Sequence, residues 1–343
     1  MQRPTRVSTL RRILLSLALA GAAFAVAAWY ALALYLGPPH ATFGAVAVAI
    51  AGLVAAVTLA WGRLHAPVML AWVISIAAAA IFWSGVKPSN DRDWQPDVAR
   101  LAYATFDGDR VTIHDIRNFE YRTETDFTPR YVDKTYDLHD LDSVDLIACY
   151  WMGDAIAHVM LSFGFADRDF LAISIETRKQ RGESYSTVAG FFRNYELIYV
   201  VGDERDLVRL RTNYRKDPPE DVYLYRTNAP KENVRRLFLD YVKTINSLHD
   251  HPQFYNTATT NCTTNVLTHT SVNPGGGRYS WKVLLSGYVP QYVYELGRLD
   301  TRLPFEELRR RSRINEAAQA ADRDPDFSSR IRAGLPRPAA APQ

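Results

Sequence analysis

Cys262 and His158 are the residues in this chain whose types and settings could support covalent chemistry. Cys262 sits in a polar run, with Thr259, Thr260 and Asn261 before it and Thr263, Thr264 and Asn265 after it. A free cysteine more often acts as a small buried hydrophobe, and these neighbours give no reason to bury one. Thr260 and Asn261 are good N-cap residues, and the pattern predicts a short helix over Cys262 to Val272. A thiol on the first turn of a helix lies where backbone N–H groups and the helix dipole favour negative charge. The expectation is a lowered thiol pKa, with N–H groups facing any oxygen bound beside the sulfur as part of an oxyanion hole.

His158 lies far upstream in an apolar, strand-like stretch, so only the fold could bring it to the thiol. Alternation places His158, Met160, Ser162 and Gly164 on one face of Ala157 to Phe165. The following strand, Phe170 to Thr177, carries Ala172, Ser174 and Glu176 on one row. Either Ser174 or Glu176 could orient the imidazole. Glu176 is the preferred third catalytic residue, because a carboxylate also stabilises an imidazolium. His269, seven residues past Cys262, is separated from it by roughly 10 Å along a helix axis, too far for direct proton transfer. His249 and His251 lack a supporting ligand cluster, so the reading includes no metal and no cofactor.

The second cysteine, Cys149, falls in the apolar run Asp145 to Trp151 and reads as core. A Cys149–Cys262 disulfide is the alternative, and it would make the chain a non-enzymatic binding module.

These residues need a scaffold. Strand-like pieces recur from Leu101 to Tyr121, Arg130 to Asp137, Ile147 to Trp151, Leu197 to Val201 and Val222 to Arg226. A helix is expected near Glu204 to Asn213. Lys231 to Leu248 shows Val234, Leu237, Phe238, Tyr241, Val242 and Ile245 at helical spacing. Trp281 to Leu299 reads as one amphipathic packing or membrane-facing segment, and Phe305 to Ala321 as a helix. Asn90 to Arg100 reads as a linker, and residues 331–343 as a disordered Pro/Ala-rich tail.

Residues 1–87 are almost free of acid and hold three apolar runs, Ile13 to Leu36, Ala41 to Trp61 and Ala66 to Gly85. Each is near the roughly 20 residues that cross a bilayer. Arg3, Arg6, Arg11 and Arg12 precede the first run and Arg63 follows the second, so the positive-inside rule places the N-terminus in the cytoplasm. Three crossings then export everything from residue 88. Ala25-Val26-Ala27 also resembles a processing site, and cleavage there leaves that outcome unchanged. A formal net charge of +3, spread along the chain, gives no argument for nucleic acid.

The segment Tyr255 to Asn265 with its Asn-Cys-Thr-Thr core, the upstream His158 strand, and the downstream Asp326-Phe327-Ser328 and Ile331-Arg332 resemble the Lnb family. That resemblance implies an α+β chain. Three N-terminal transmembrane helices (1–87) would precede a periplasmic domain (88–330) with an antiparallel sheet and a cysteine helix, like a permuted papain-like NlpC domain. It implies Cys262 as nucleophile and His158 as general base, with Asn261, Tyr255 and Thr263 on the substrate or oxyanion side. The implied activity moves an acyl chain from a membrane phospholipid, through a Cys262 thioester, to the N-terminal cysteine of lipoproteins at a bacterial inner membrane. A thiol hydrolase of the cell envelope is the competing enzyme.

Overall fold

The computed structural model describes residues 6–61 and 65–339, with the side chains of 6–8 excepted. Arg3 and Arg63, used above for orientation, therefore lie outside the described residues. The chain divides into two units, residues 1–89 with 185–195, and residues 90–184 with 196–343.

The first unit holds α1 (Arg6–Leu36), α2 (Thr42–Ala60) and α3 (Ala66–Gly85). All three are long and apolar enough to span a membrane. Small residues set their spacing. A Cβ built on Gly52 would come within 2.0 Å of the Ala27 Cβ, so α1 and α2 meet at a position only glycine fits. The segment 185–195 joins this unit: Phe192 packs on Trp29, and Arg193 stacks on Trp83 while donating to its carbonyl.

The second unit is built on ten strands: β1 (Tyr103–Asp107), β2 (Arg110–Arg117), β3 (Glu120–Tyr121), β4 (Phe127–Thr128), β5 (Tyr131–Asp137), β6 (Leu141–Tyr150), β7 (Ala157–Phe165), β8 (Asp169–Arg178), β9 (Glu196–Asp203) and β10 (Asp221–Arg226). β3 and β4 form a small ribbon, and the other eight make one sheet. Its order is β1-β2-β9-β8-β7-β6-β10, with β5 paired to β2. Every pairing is antiparallel except the short contact of β2 with β9.

Helices cover both faces. They are α4 (Glu204–Arg209), α5 (Lys231–Asp250), α6 (Cys262–Thr270), α7 (Trp281–Leu284), α8 (Val289–Glu295), α9 (Phe305–Arg311), α10 (Asn315–Ala320) and α11 (Phe327–Arg330). Residues 210–214 add a π-helical turn directly after α4. Register and alternation sort the side chains. Leu161, Phe163 and Tyr199 face α5 and α6: Phe163 packs on Phe238 and Tyr241, and Tyr199 bonds His269. Cys149, Met160, Ala172 and Val200 face the other way, into a core closed by Leu207 and Val208 of α4, Ala318 of α10 and Phe327 of α11.

Several expected boundaries move. Asn90 to Arg100 is not a free linker, because Trp94 and Val98 are buried and Arg178 donates to the Val98 and Ala99 carbonyls. Trp281 to Leu299 breaks into α7, a 3-10 turn and α8, and Phe305 to Ala321 breaks between α9 and α10 at Ser312 to Ile314, where the chain bonds to β10.

The tail expected from residue 331 starts inside the core. Ile331 and Arg332 are buried, and the Arg332 guanidinium grips both oxygens of Glu204 at 2.6 Å and Asp145 at 2.8 Å. A terminal arginine so placed compensates two buried carboxylates, which composition alone cannot reveal. Arg332→Ala is expected to cost about 3–5 kcal/mol of stability, since it strands Glu204 without its cation and leaves Asp145 only Arg226. Denaturant unfolding of the purified protein would read this. A change under about 0.5 kcal/mol, typical of a surface site, would contradict it.

Candidate active site

α6 begins at Cys262 because Asn261 caps it. The Asn261 Oδ1 accepts from the N–H groups of Thr263 (3.0 Å) and Thr264 (2.9 Å), and the Asn261 N–H donates back to Thr264 Oγ1 (2.9 Å). This reciprocal pair is a capping box. It also engages the groups expected on the substrate side. Asn261 Nδ2 donates to the Thr257 carbonyl at 2.7 Å, and Thr263 Oγ1 donates to the Val283 carbonyl at 2.8 Å. Asn261 and Thr263 therefore serve to place the thiol, and Tyr255 is buried. Among the described residues, the Cys262 N–H is the first-turn donor left without a partner, so one amide rather than several remains for a bound oxygen.

His158 stands on β7 in a chain of polar contacts across to β8. Its Nε2 lies 2.6 Å from Ser174 Oγ and 3.2 Å from Glu176 Oε1. The Ser174 hydroxyl donates to Glu176 Oε1 at 2.7 Å. Since that hydroxyl spends its one proton on Glu176, it accepts from the imidazole, which places the ring proton on Nε2. Nδ1 is then the basic nitrogen. Arg211, in the π-helical turn, donates to Glu176 at 3.0 Å and to Glu220 at 3.0 and 3.2 Å.

Charge states follow from burial and pairing. Burial pushes the His158 imidazole down to about 4, against the opposing pull of Glu176. Burial alone would raise the Glu176 carboxyl, but His158 and Arg211 overcome it and hold the group at about 2. The resting site thus has a neutral imidazole backed by an ionised carboxylate. Cys262 departs from expectation. Burial pushes its thiol up, and the nearby Glu176 charge adds to the rise, while the Val159 and Thr263 amides and Arg211 oppose it. The helix cap is real, but desolvation outweighs it.

The thiol and the imidazole reach the site from opposite faces of the sheet. α6 packs on the Tyr199 face, whereas His158 shares its side with Cys149, its partner on β6. The β7–β8 ladder stops short of His158. The last pair is Met160 with Ser174, although β7 continues back to Ala157 and β8 on to Arg178. The Val159 amide, one residue beyond that pair, favours the thiolate together with the Thr263 amide. Glu176 and Arg211 act electrostatically on both His158 and Cys262. Among the described residues no hydrogen bond joins Cys262 to His158.

Cys149 and Cys262 are both free thiols. Cys149 is fully buried in the core of the opposite face, so the staple alternative has no support here. His269 pairs with Asp240 (2.7 Å) and Tyr199 (2.8 Å) and fastens α6 to α5 and the sheet. Among the described residues no group of three or more His, Cys, Asp and Glu is set to hold a metal ion. Arg211 and Glu220 were not legible as site residues. In sequence Arg211 is one of three arginines between Arg205 and Arg211, and only its burial separates it from a solvated one.

Residues 127–287 match the family model described as the Lnb N-terminal periplasmic domain. The match spans β4 through the turn before α8 and includes His158, Ser174, Glu176, Arg211 and Cys262. No curated protein and no solved structure matches the chain.

Proposed function

We propose, from the membership of residues 127–287 in the Lnb N-terminal periplasmic domain family, that this inner-membrane protein is a cysteine-dependent N-acyltransferase. Its N-terminus lies in the cytoplasm and its catalytic domain in the periplasm, in a permuted papain-like arrangement. The observation that carries the reading is the ordered chain Arg211–Glu176–Ser174–His158, with the amide of the next residue, Val159, favouring the Cys262 thiolate. A buried carboxylate, a fixed imidazole tautomer and a thiol at a capped helix start are the parts a thiol acyl-transfer site needs.

Both thiol and imidazole are neutral at rest, so the nucleophile is made during attack. His158 Nδ1 takes the Cys262 proton as the sulfur adds to an ester carbonyl of a membrane phospholipid. Pairs of this kind often tighten only in the substrate complex. The Cys262 N–H donates to the developing oxyanion. The intermediate collapses to a Cys262 thioester, and the lysophospholipid alkoxide leaves with the proton from His158. The α-amino group of a lipoprotein's N-terminal cysteine then attacks the thioester and gives its proton to His158. The amide forms, and the proton returns to the Cys262 sulfur. Anchoring the domain in the bilayer that holds both substrates converts two encounters into two-dimensional ones.

Intact-mass spectrometry after incubation with phospholipid, without acceptor, tests this. A fatty-acyl mass on Cys262 is the expected product. A peptidyl adduct formed with cell-wall peptide, with no acyl adduct, would instead identify the site as a hydrolase. The pH dependence is a separate test. A protonated imidazole cannot accept the thiol proton, so kcat/KM should be lost as pH falls through about 4, the value of the buried His158, rather than through 6.5. An acidic limb near the unperturbed value would show that His158 is not the base.

A further inference from the structure

α6 carries Cys262 at one end and an apolar pocket of about 160 Å³ along its flank. The pocket begins at Thr263, the residue next to the thiol, and continues past Val266 and Leu267 to Thr270. Its floor is Leu146 and Leu161 of the sheet, and its outer wall is the strap 273–298, including Gly277, Tyr292 and Val293. Gly277 keeps it open there, because a Cβ at that position would stand 2.7 Å from Leu267 and 3.6 Å from Tyr292. The only charged side chain in the lining is Arg298. It is half-buried and, among the described residues, makes no ion pair.

The outside of the same strap is unusual for a surface in water. Tyr279, Trp281 and Leu284 are 70%, 56% and 55% exposed. Exposed aromatic and aliphatic side chains with a basic one among them, Arg278, are the composition of a segment resting at a membrane interface, and the strap's Lys282 pairs with Glu295. An apolar pocket behind such a segment is suited to aliphatic chains.

We propose that this pocket holds a segment of one acyl chain of a bilayer phospholipid, with the strap 273–298 seated in the lipid interface. The reading rests on the proposed acyl transfer for the direction of the chain, with the ester end at Cys262 and the methyl end toward Thr270. Occupancy itself does not require the thioester. Apolar contacts with Leu146, Leu161, Val266 and Leu267 supply the affinity.

The test uses the full chain in nanodiscs containing phosphatidylglycerol with a photoactivatable diazirine in mid-chain, followed by peptide mapping. Labelling of α6 and of residues 289–298 is expected, in the native protein and equally in Cys262→Ala. Gly277→Leu and Leu267→Trp, each filling the pocket from a different wall, should reduce α6 labelling by about tenfold or more. Thermal melting identifies the variant that retains its fold. Labelling confined to the three spanning helices, or undiminished in a folded pocket-filling variant, overturns the pocket. Normal labelling without any Cys262 adduct would instead retain the pocket and remove the thioester.

Discussion

Cys262→Ala is expected to abolish the acyl adduct and to lower N-acylation by roughly 10⁴-fold or more, the scale seen when a covalent nucleophile is removed. Cys262→Ser should fall nearly as far. A serine hydroxyl is a poorer nucleophile than a thiol, and an imidazole depressed to about 4 is a weak base to activate it. Neither change should unfold the domain. The α6 cap is made by Asn261, Thr263 and Thr264, and the sulfur contributes little to it. The measurement is lipoprotein N-acylation in a strain that depends on this protein, with the protein level determined in parallel. Full activity in both variants would falsify the covalent route.

Removing the base should come next in size. His158→Asn is expected to lower kcat by about 10²–10⁴-fold, the usual contribution of a positioned general base. It should leave substrate binding nearly intact, because the imidazole is turned toward Ser174 and Glu176. The supporting residues should then grade in a specific order. Glu176→Gln removes the carboxylate that stabilises an imidazolium, and it also strands Arg211, which keeps only Glu220. Ser174→Ala loses one hydrogen bond but leaves Glu176 at 3.2 Å from the ring. The Glu176 change should therefore be the more damaging of the two. Single-turnover acylation rates for the three variants check this. A Ser174→Ala variant slower than His158→Asn would show that the relay is assigned in the wrong direction.

The raised thiol pKa bears on how the site is used. A preformed thiolate would be exposed to oxidation in the periplasm at all times. A neutral thiol avoids that exposure.

Much of this site could be read in the linear chain. Asn261 before Cys262 announced a helix start, since an Asx side chain satisfies the first N–H groups of any helix that begins there. Alternation over Ala157 to Phe165 and Phe170 to Thr177 placed His158, Ser174 and Glu176 on one side of a hairpin, and the register is consistent with it. The three apolar runs stood out because no charged residue interrupts them. Those are local effects, decided by neighbours within a few residues. Desolvation is not local. The upward shift of Cys262, the downward shift of His158, the recruitment of Arg211 to Glu176 and of Arg332 to Glu204 all depend on what the folded chain packs against each group from far away in sequence. So does the placing of the thiol and the imidazole. The sequence assigns each to its own element. Only the folded sheet sets the helix that carries Cys262 on one face and His158 on the other, with the β7–β8 ladder ending at Met160 and Ser174, short of the strand ends.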